Sequence, residues 1–422
     1  PLPEKPSIAV LPLTNIGGDP EQEYFADGMT DDLITDLSKI SGLFVIARNS
    51  VFAYKGKTMK VEQIGRELGV RYLLEGSVRK AGDRVRINTQ LIDATTGAHL
   101  WAERYDRDYQ DIFALQDEVI QRIVSALLVK LTPVEEEQLA RTYTDNLEAY
   151  EYYLHGLQNF HTYTPEGFAA ALLMFEKAIG LDPSFAQAYA VRAWAHYLIL
   201  TMGYLGKVGQ IISVTRPTGF TVVGGFRLQG VDFAKRALSL DDRLPMAHSV
   251  MALVHLQSRD YDEAVSSVAR SVALDPNNAE SYNIQAYVLT RAGRHEEALK
   301  AIKTAYRLNP KPPARYALTL SEVHFDLRQY AEAIESGKKA LGGMPDWKVR
   351  QDTLVPSYAY LGQMEEARAE LEKLLKQNPQ LSISWLKSRA WLYLYKRPED
   401  WEHFLEGHRR AGVPKYPRDT VD

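Results

Sequence analysis

The C-terminal half of this chain repeats itself every 34 residues. Residues 245–278 read PMAHSVMALVHLQSRDYDEAVSSVARSVALDPNN, and residues 279–312 read AESYNIQAYVLTRAGRHEEALKAIKTAYRLNPKP. In this register Tyr261 lies over His295, Ala264 over Ala298, Leu274 over Leu308 and Pro276 over Pro310, and Pro345 and Pro379 continue the series. A fixed period closed by a proline predicts stacked helical hairpins. One hairpin cannot bury its apolar face alone, so each depends on its neighbours. Such an array offers a long surface for holding other chains and no built-in place for bond chemistry.

Composition excludes several alternatives. Apolar residues make up 45% and charged residues 25% of the 422, an ordinary globular balance. A net charge of −4 gives no electrostatic case for nucleic acid or acidic membrane. The chain has no cysteine, which removes disulfides, thiolate metal sites and cysteine nucleophiles. No stretch approaches about 18 uncharged apolar residues, so no membrane-spanning helix is expected. The compartment expected is the cytoplasm, or the periplasm should an upstream membrane anchor exist. Residues 1–6, PLPEKP, read as the end of a linker, so the chain is expected to begin inside a larger protein.

Residues 7–131 have a different rhythm. Ser7–Leu13 is a short apolar run that predicts a buried strand, and Asn15–Pro20 is turn chemistry. Asp27–Ile40 predicts a helix with acids crowding its first turn. A second strand is expected at Leu43–Ala47 and a short helix at Val61–Leu68, closed by Gly69. Arg71–Arg79 and Arg84–Asp93 flank Ala81-Gly82-Asp83, a hairpin signal. A further strand follows at Ala98–Tyr105. Asp111 is expected to cap a helix running to Leu131. The order β-α-β-α-β-β-β-α predicts an α/β domain, a mixed sheet with flanking helices.

The phrases KPSIAVLPLTNIGGDPEQEYFADGMTDDLITDLSKI, LFVIARNS, YKGK, IGRELGVRYLLEGSVRKAGDRVRINTQLIDATTGAHLWAERYDRD and DIFALQDEV carry a family resemblance. They resemble the TolB-like N-terminal α/β domain of bacterial regulatory proteins, over about residues 5–125. That domain commonly follows a class III adenylate/guanylate cyclase domain or a winged-helix DNA-binding domain, and precedes tetratricopeptide repeats. The resemblance implies a non-enzymatic accessory region with no catalytic residues to carry over.

Within the domain, Gly17-Gly18-Asp19 lacks the Lys-Ser/Thr of a phosphate loop and reads as a plain turn. Asp27, Asp31, Asp32 and Asp36 read as carboxylates favoured by a helix start, with a metal cluster as the competing reading. Arg79, Lys80, Arg84 and Arg86 form a basic hairpin. A solvated strand face is the plainer reading, and Arg84 and Arg86 are the candidate contacts for an anion or a partner. No HExxH or GxSxG appears, and no His stands near a paired carboxylate in a readable pattern. No catalytic residue, metal ligand or cofactor is assigned.

Residues 132–145 are read as a linker, and 146–381 as an array of about six hairpins. The pattern Tyr/His…Ala…Leu-Asp-Pro resembles the tetratricopeptide repeat, most clearly in units 245–278, 279–312, 314–347 and 348–381. Small residues such as Ala264, Ala298, Ala333 and Ala367 let helices approach, and Val268, Ile302 and Leu371 fill the gaps between hairpins. Residues 382–422 are expected to be a degenerate unit and tail, with Glu399–Arg410 a polar-faced capping helix. By repeat position, the first helices line a partner-binding groove with Trp194, Tyr197, Asn283, Tyr287, Arg291, Arg315, Glu322, Asp352 and Tyr360. Asn, Tyr and Arg there suit capture of a peptide backbone, with Asn283 and Arg291 expected to be exposed. One unit carries an insertion at 202–226, with six glycines and two charges, Lys207 and Arg216. Ile211–Thr215 and Phe220–Val223 are expected to form a β-hairpin that packs internally or makes a homodimer contact.

The function these features predict is a non-catalytic protein-interaction or sensory module of a bacterial signalling protein. An upstream nucleotide cyclase domain is the expected output domain in cis. The alternatives are the accessory region of a winged-helix transcriptional regulator, or a small-ligand receptor on the α/β domain. A deep pocket lined by Arg84, Arg86 and the Asn15–Asp19 loop would favour a receptor or enzyme; a flat polar sheet would count against it. The expected partners are a protein or peptide segment, not nucleic acid.

Overall fold

The apolar runs of the first hundred residues become a six-stranded sheet: β1 (Ser7–Val10), β2 (Thr14–Asn15), β3 (Phe44–Val45), β4 (Tyr72–Ala81), β5 (Arg84–Asp93) and β6 (Ala98–Asp108). The computed structural model describes residues 2–140, 143–215, 223–343, 353–388 and 393–417. Its contacts separate two compact units. The first comprises Pro1–Ala247, Ser271–Ala279 and Arg307–Lys311; the second comprises His248–Arg270, Glu280–Tyr306 and Pro312–Asp422.

In the first unit the strand order is β3-β1-β4-β5-β6, with β2 also paired to β4. β1 runs parallel to β3 and β4, while β4, β5 and β6 are antiparallel, so the sheet is mixed. The alternation in β5 holds: Val85, Ile87 and Leu91 are buried, and Arg84 is exposed. Gly82 turns the hairpin with φ +57°, and Gly69 ends a helix with φ +68°, a region costly for any residue with a Cβ. The helices of this domain are α1 (Glu23–Ser38), α2 (Arg48–Phe52), α3 (Val61–Leu68) and α4 (Ile112–Ala126). α1 begins before Asp27, so the four aspartates lie within the helix rather than at its first turn. α4 stops short of Leu131, and Asp111 makes no side-chain cap; a 3-10 turn at Tyr109–Asp111 leads in instead. The Asn15–Asp19 loop is a plain turn, with Asn15 Oδ1 accepting from Gly17 N and Asp19 Oδ1 from Glu21 N.

Residues 132–145 hold a short helix, α5 (Pro133–Leu139). Thr132 and Glu135 form a reciprocal capping box, and Glu135 also accepts from Ser41 N at 2.7 Å. Then come α6 (Leu147–Phe160), α7 (Pro165–Leu181), α8 (Ala186–Thr201), α9 (Leu205–Thr215) and α10 (Val223–Leu240). The β-hairpin expected at Ile211–Thr215 is corrected: this stretch is the last part of helix α9. Val208 and Ile212, four residues apart, are both buried, and α9 packs on α7 and α8. Helical spacing overrode the local run of β-branched residues. Residues 216–222, including Phe220, lie outside the described residues. Phe226 is buried and stacks on His196 at 4.2 Å.

The aspartates of α1 meet α6 and its neighbours. Tyr24 stacks on His155 at 3.7 Å. Asp31 pairs with Arg48 at 2.7 Å and His161 at 3.1 Å. Asp32 accepts from Tyr150 Oη and from Gln116 Nε2. Asp36 meets Lys39 and Tyr143, and Asp27 meets Lys55. These partners replace the helix-start reading of the cluster.

Two turns of the repeat region also belong to this unit, and they cover β3, the sheet's edge. Asn277 Nδ2 donates to the carbonyls of Ser38 and Ile40, and its Oδ1 accepts from Val45 N at 3.2 Å. Ala47 N donates to the Leu308 carbonyl at 2.8 Å, and Ser50 Oγ to Asn309 Oδ1 at 2.6 Å. An edge strand needs such a cover, because its unpaired N–H and C=O groups would otherwise template association.

Each later period contributes two helices: α11 (Pro245–Gln257) and α12 (Tyr261–Leu274), α13 (Ala279–Arg291) and α14 (His295–Leu308), α15 (Ala314–Asp326) and α16 (Tyr330–Gly343), α17 (Leu354–Tyr360) and α18 (Met364–Gln377). Ala264, Ala298, Ala333 and Ala367 are fully buried, as their close-approach role requires. The turn inside each hairpin places one residue in the left-handed region: Arg259 (φ +64°), Gly293 (+80°), Arg328 (+64°) and Gly362 (+74°). The last helices of the described residues are α19 (Ile383–Ser388) and α20 (Pro398–Arg410). Among the described residues, no helix is long and apolar enough to cross a membrane.

Candidate functional site

The residues assigned to the repeat groove fall into separate clusters. In the first unit, Trp194 is buried and Tyr197 half-buried, and their rings stack at 5.4 Å. In the second unit, Glu280 of α13 gathers Asn283, Arg315 and Tyr316. Asn283 Nδ2 donates to it at 3.3 Å, Arg315 pairs with it from one period on, and Tyr316 Oη donates at 3.2 Å. A second cluster centres on Arg291, which pairs with Glu322 of α15 at 2.7 Å. Its guanidinium sits between the rings of Tyr287, at 5.0 Å, and Tyr395, at 4.9 Å. Asp352 lies outside the described residues.

The expected exposure of Asn283 and Arg291 is corrected. They are only 6% and 4% exposed. Part of the cover is the chain's own C-terminal segment, which returns across these helices. Lys396 N donates to the Arg291 carbonyl at 2.9 Å, and Tyr261 Oη donates to the Tyr395 carbonyl at 3.1 Å. Tyr395 Oη reaches Asp326 Oδ1 at 3.4 Å, and Lys396 pairs with Asp262 at 3.1 Å. Asp400 pairs with His295 at 3.0 Å. Further along α20, Tyr360 stacks on His403 at 4.3 Å and donates to its carbonyl, and Phe404 packs edge-on to Phe325. Thus Tyr287, Arg291, Glu322 and Tyr360, four of the expected groove residues, cluster where this segment lies. α20 does carry the expected polar face. Its other face, with Phe404, Leu405 and His408, is buried on α17 and its neighbours.

The electrostatics of this contact are unbalanced. Burial pushes the Asp326 carboxyl up to about 7, against the pull of Arg291 and His295. Among the described residues, Arg291 Nε, His295 Nδ1 and Asp326 Oδ2, and Asn283 Oδ1 in the separate Glu280 cluster, are buried without a hydrogen-bond partner. Sequence reasoning missed Asp326, His295, Tyr395, Asp400 and Phe404. A signal existed for the helix: Trp401, Phe404, Leu405 and His408 recur at i, i+3, i+4 and i+7.

The α/β domain offers a second concavity, of about 890 Å³, within the range of small-molecule sites. It is lined by the 54–59 loop and by polar side chains such as Thr14, Lys57, Ser77, Asn88, Gln90 and Arg104. Neither Arg84, Arg86 nor the Asn15–Asp19 loop lines it. Arg84 pairs with Asp106 and Asp108, both at 2.8 Å, and Arg86 with Asp106 at 2.7 Å, within their own sheet.

Comparison with known proteins bears on both halves. Tetratricopeptide-repeat family models match residues 250–313 and 357–381. A model of the second domain of HilA/YgeH-like transcriptional regulators matches residues 4–126. Over 263 residues the chain is 48% identical to "Putative adenylate cyclase 3" of Rhizobium meliloti (strain 1021), a match covering 62% of this chain and 42% of that protein. Among solved structures, a thermophilic tetratricopeptide-repeat protein of Thermus thermophilus is 24% identical, with 43% of this chain and 91% of that one covered and a TM-score of 0.32. TolB from Acinetobacter baumannii is 18% identical, covering 30% of this chain and 29% of its own, with a TM-score of 0.22. The chain carries tetratricopeptide repeats behind a HilA-like N-terminal domain, and the repeats make it a protein-interaction module.

Proposed function

We propose that this chain is the non-catalytic interaction and sensing region of a bacterial signalling protein whose output is a nucleotide cyclase domain. What supports this reading is the 48% identity to the Rhizobium protein named for an adenylate cyclase. The matched stretch is 42% of that protein, which leaves more than half of it for other work. In this reading the repeats hold a partner, and the α/β domain, which their turns cover, passes its presence to the cyclase. The full gene product should convert ATP or GTP to a cyclic nucleotide, and deleting residues 146–410 should change that rate severalfold. A product without cyclase activity, or with a rate indifferent to the deletion, would sink the proposal.

The match of residues 4–126 to a transcriptional-regulator domain favours a second reading, an accessory region of a DNA-binding regulator. Sequence-specific DNA capture by the full product, without cyclase activity, would select it. Under either reading the chain described here should show no cyclase, hydrolase or kinase turnover, since its sequence offers no motif for such chemistry. Turnover that survives repurification and is abolished by a point variant in this chain would overturn that.

A further inference from the structure

We propose that Tyr393–Arg410 is a displaceable internal ligand of the repeat groove, and that the external partner is a segment of the same chemistry: an aromatic residue followed by a cation, leading into a short helix with an aromatic face. This rests on reading the repeats as an interaction module. The occupant shows what the groove recognises. The Arg291 carbonyl and the Tyr261 hydroxyl hold the main chain of the non-helical part, at Lys396 N and the Tyr395 carbonyl. Acidic side chains meet its polar groups, Asp326 the Tyr395 hydroxyl and Asp262 the Lys396 ammonium. Aromatic side chains from α15, α16 and α17 meet the helix: Phe325 at Phe404, Tyr330 and Tyr360 at His403.

The fit is incomplete, and this favours exchange. Buried polar groups are normally paired, yet Arg291 Nε, His295 Nδ1 and Asp326 Oδ2 find no partner among the described residues. A tethered ligand competes as though present at roughly millimolar concentration. An external segment therefore has to fit better than the tail. The orphaned atoms say how: with an acceptor for Arg291 Nε and a donor for Asp326 Oδ2. The tail sets a threshold that a segment lacking those groups does not cross.

The probe is a fluorescein-labelled peptide with the sequence of residues 393–410, titrated into the full chain. The tail-side variant Tyr395→Ala/Asp400→Asn loosens the internal copy and leaves the groove intact. It should bind the peptide about tenfold or more tighter than the unaltered chain. Adding His295→Ala, which removes the peptide's Asp400 partner, should cancel most of that gain. On the unaltered chain, hydrogen exchange gives a second readout that needs no variant. The Lys396 amide and the amides of 402–409 should exchange about tenfold or more faster than those of α15 and α17, by local opening. Equal peptide affinity in both chains, with His295→Ala still weakening it, would overturn the competitor role while leaving the interaction reading intact. Exchange of α20 only with global unfolding would make the tail a permanent part of the fold and overturn the proposal; the interaction reading would then stand or fall by the cyclase assay.

Discussion

Repeat position picked out Arg291, but not its burial. It was the ground for placing Arg291 in a groove, but it does not say what else lies there, because the returning segment is separated from Arg291 by about a hundred residues of chain. Burial changes what substitution does. Removing one member of a buried ion pair leaves the other uncompensated, so Arg291→Ala should cost about 3–5 kcal/mol, whereas Arg291→Met/Glu322→Leu should cost far less. Denaturant melts of the three chains would check this, and a small loss for Arg291→Ala alone would contradict it. Asp32 was likewise visible as an acid but not as a buried one. Burial pushes its carboxyl up to about 7, against the hydrogen bonds from Tyr150 and Gln116. A carboxyl raised on folding favours the folded state below its unfolded value, about 3.9, and loses that contribution as pH rises through about 7. Asp32→Asn keeps an oxygen for both donors and cannot ionise. Its stability relative to the parent should therefore rise between pH 5 and pH 8, by on the order of 2–4 kcal/mol. A flat difference across that range would mean that Asp32 is not perturbed.

At the scale of elements, the period determined far more than local propensity did. Helices α11 to α16 begin and end where the 34-residue register puts them, because every hairpin satisfies the same packing demand. The register shows even in backbone hydrogen bonds: Arg259, Gly293, Arg328 and Gly362 each donate from N–H to the carbonyl three residues before, at 3.0–3.2 Å. Two of these left-handed positions have the residue suited to them. The two arginines, both exposed, do not, and a side chain there costs about 1–2 kcal/mol. Arg328→Gly should accordingly raise stability, by about 1 kcal/mol or less once the freer unfolded chain is counted. A lower melting temperature for this variant would mean that the Arg328 side chain makes a contribution its exposure hides. α9 escaped the reading because Ile211–Thr215 is rich in β-branched residues, a local preference that packing on α7 and α8 outweighed. α20 was read as a cap because its charges dominate; the four residues of its inward stripe were outnumbered, not absent.

At the scale of the whole molecule, the order of domains was legible and their mutual dependence was not. Sequence separates the α/β domain from the repeats at a proline-marked linker, yet the first compact unit runs through both. The reason is polar and long-range. α1 pairs Asp31 with His161 and buries Asp32 against Tyr150 of the first repeat, and two repeat turns, at Asn277 and Leu308–Asn309, bind the edge of the sheet. Neither pattern has a period or a composition that marks it in advance. The consequence is a testable coupling. A fragment ending at residue 131 would expose the acids of α1 and the unpaired groups of β3 together. Such an edge invites association, and the lost contacts include some of the domain's buried polar pairs. The fragment should melt well below the intact chain and form higher oligomers as its concentration is raised, as light scattering would show. Asn277→Ala in the intact chain should reproduce part of the loss, by about 1–3 kcal/mol, since the Ser38 carbonyl and the Val45 N–H lose the Asn277 amide and the Ile40 carbonyl keeps only Leu43 N. A monomeric fragment with the melting temperature of the intact chain would show that the α/β domain stands alone and that the repeat turns merely rest on it.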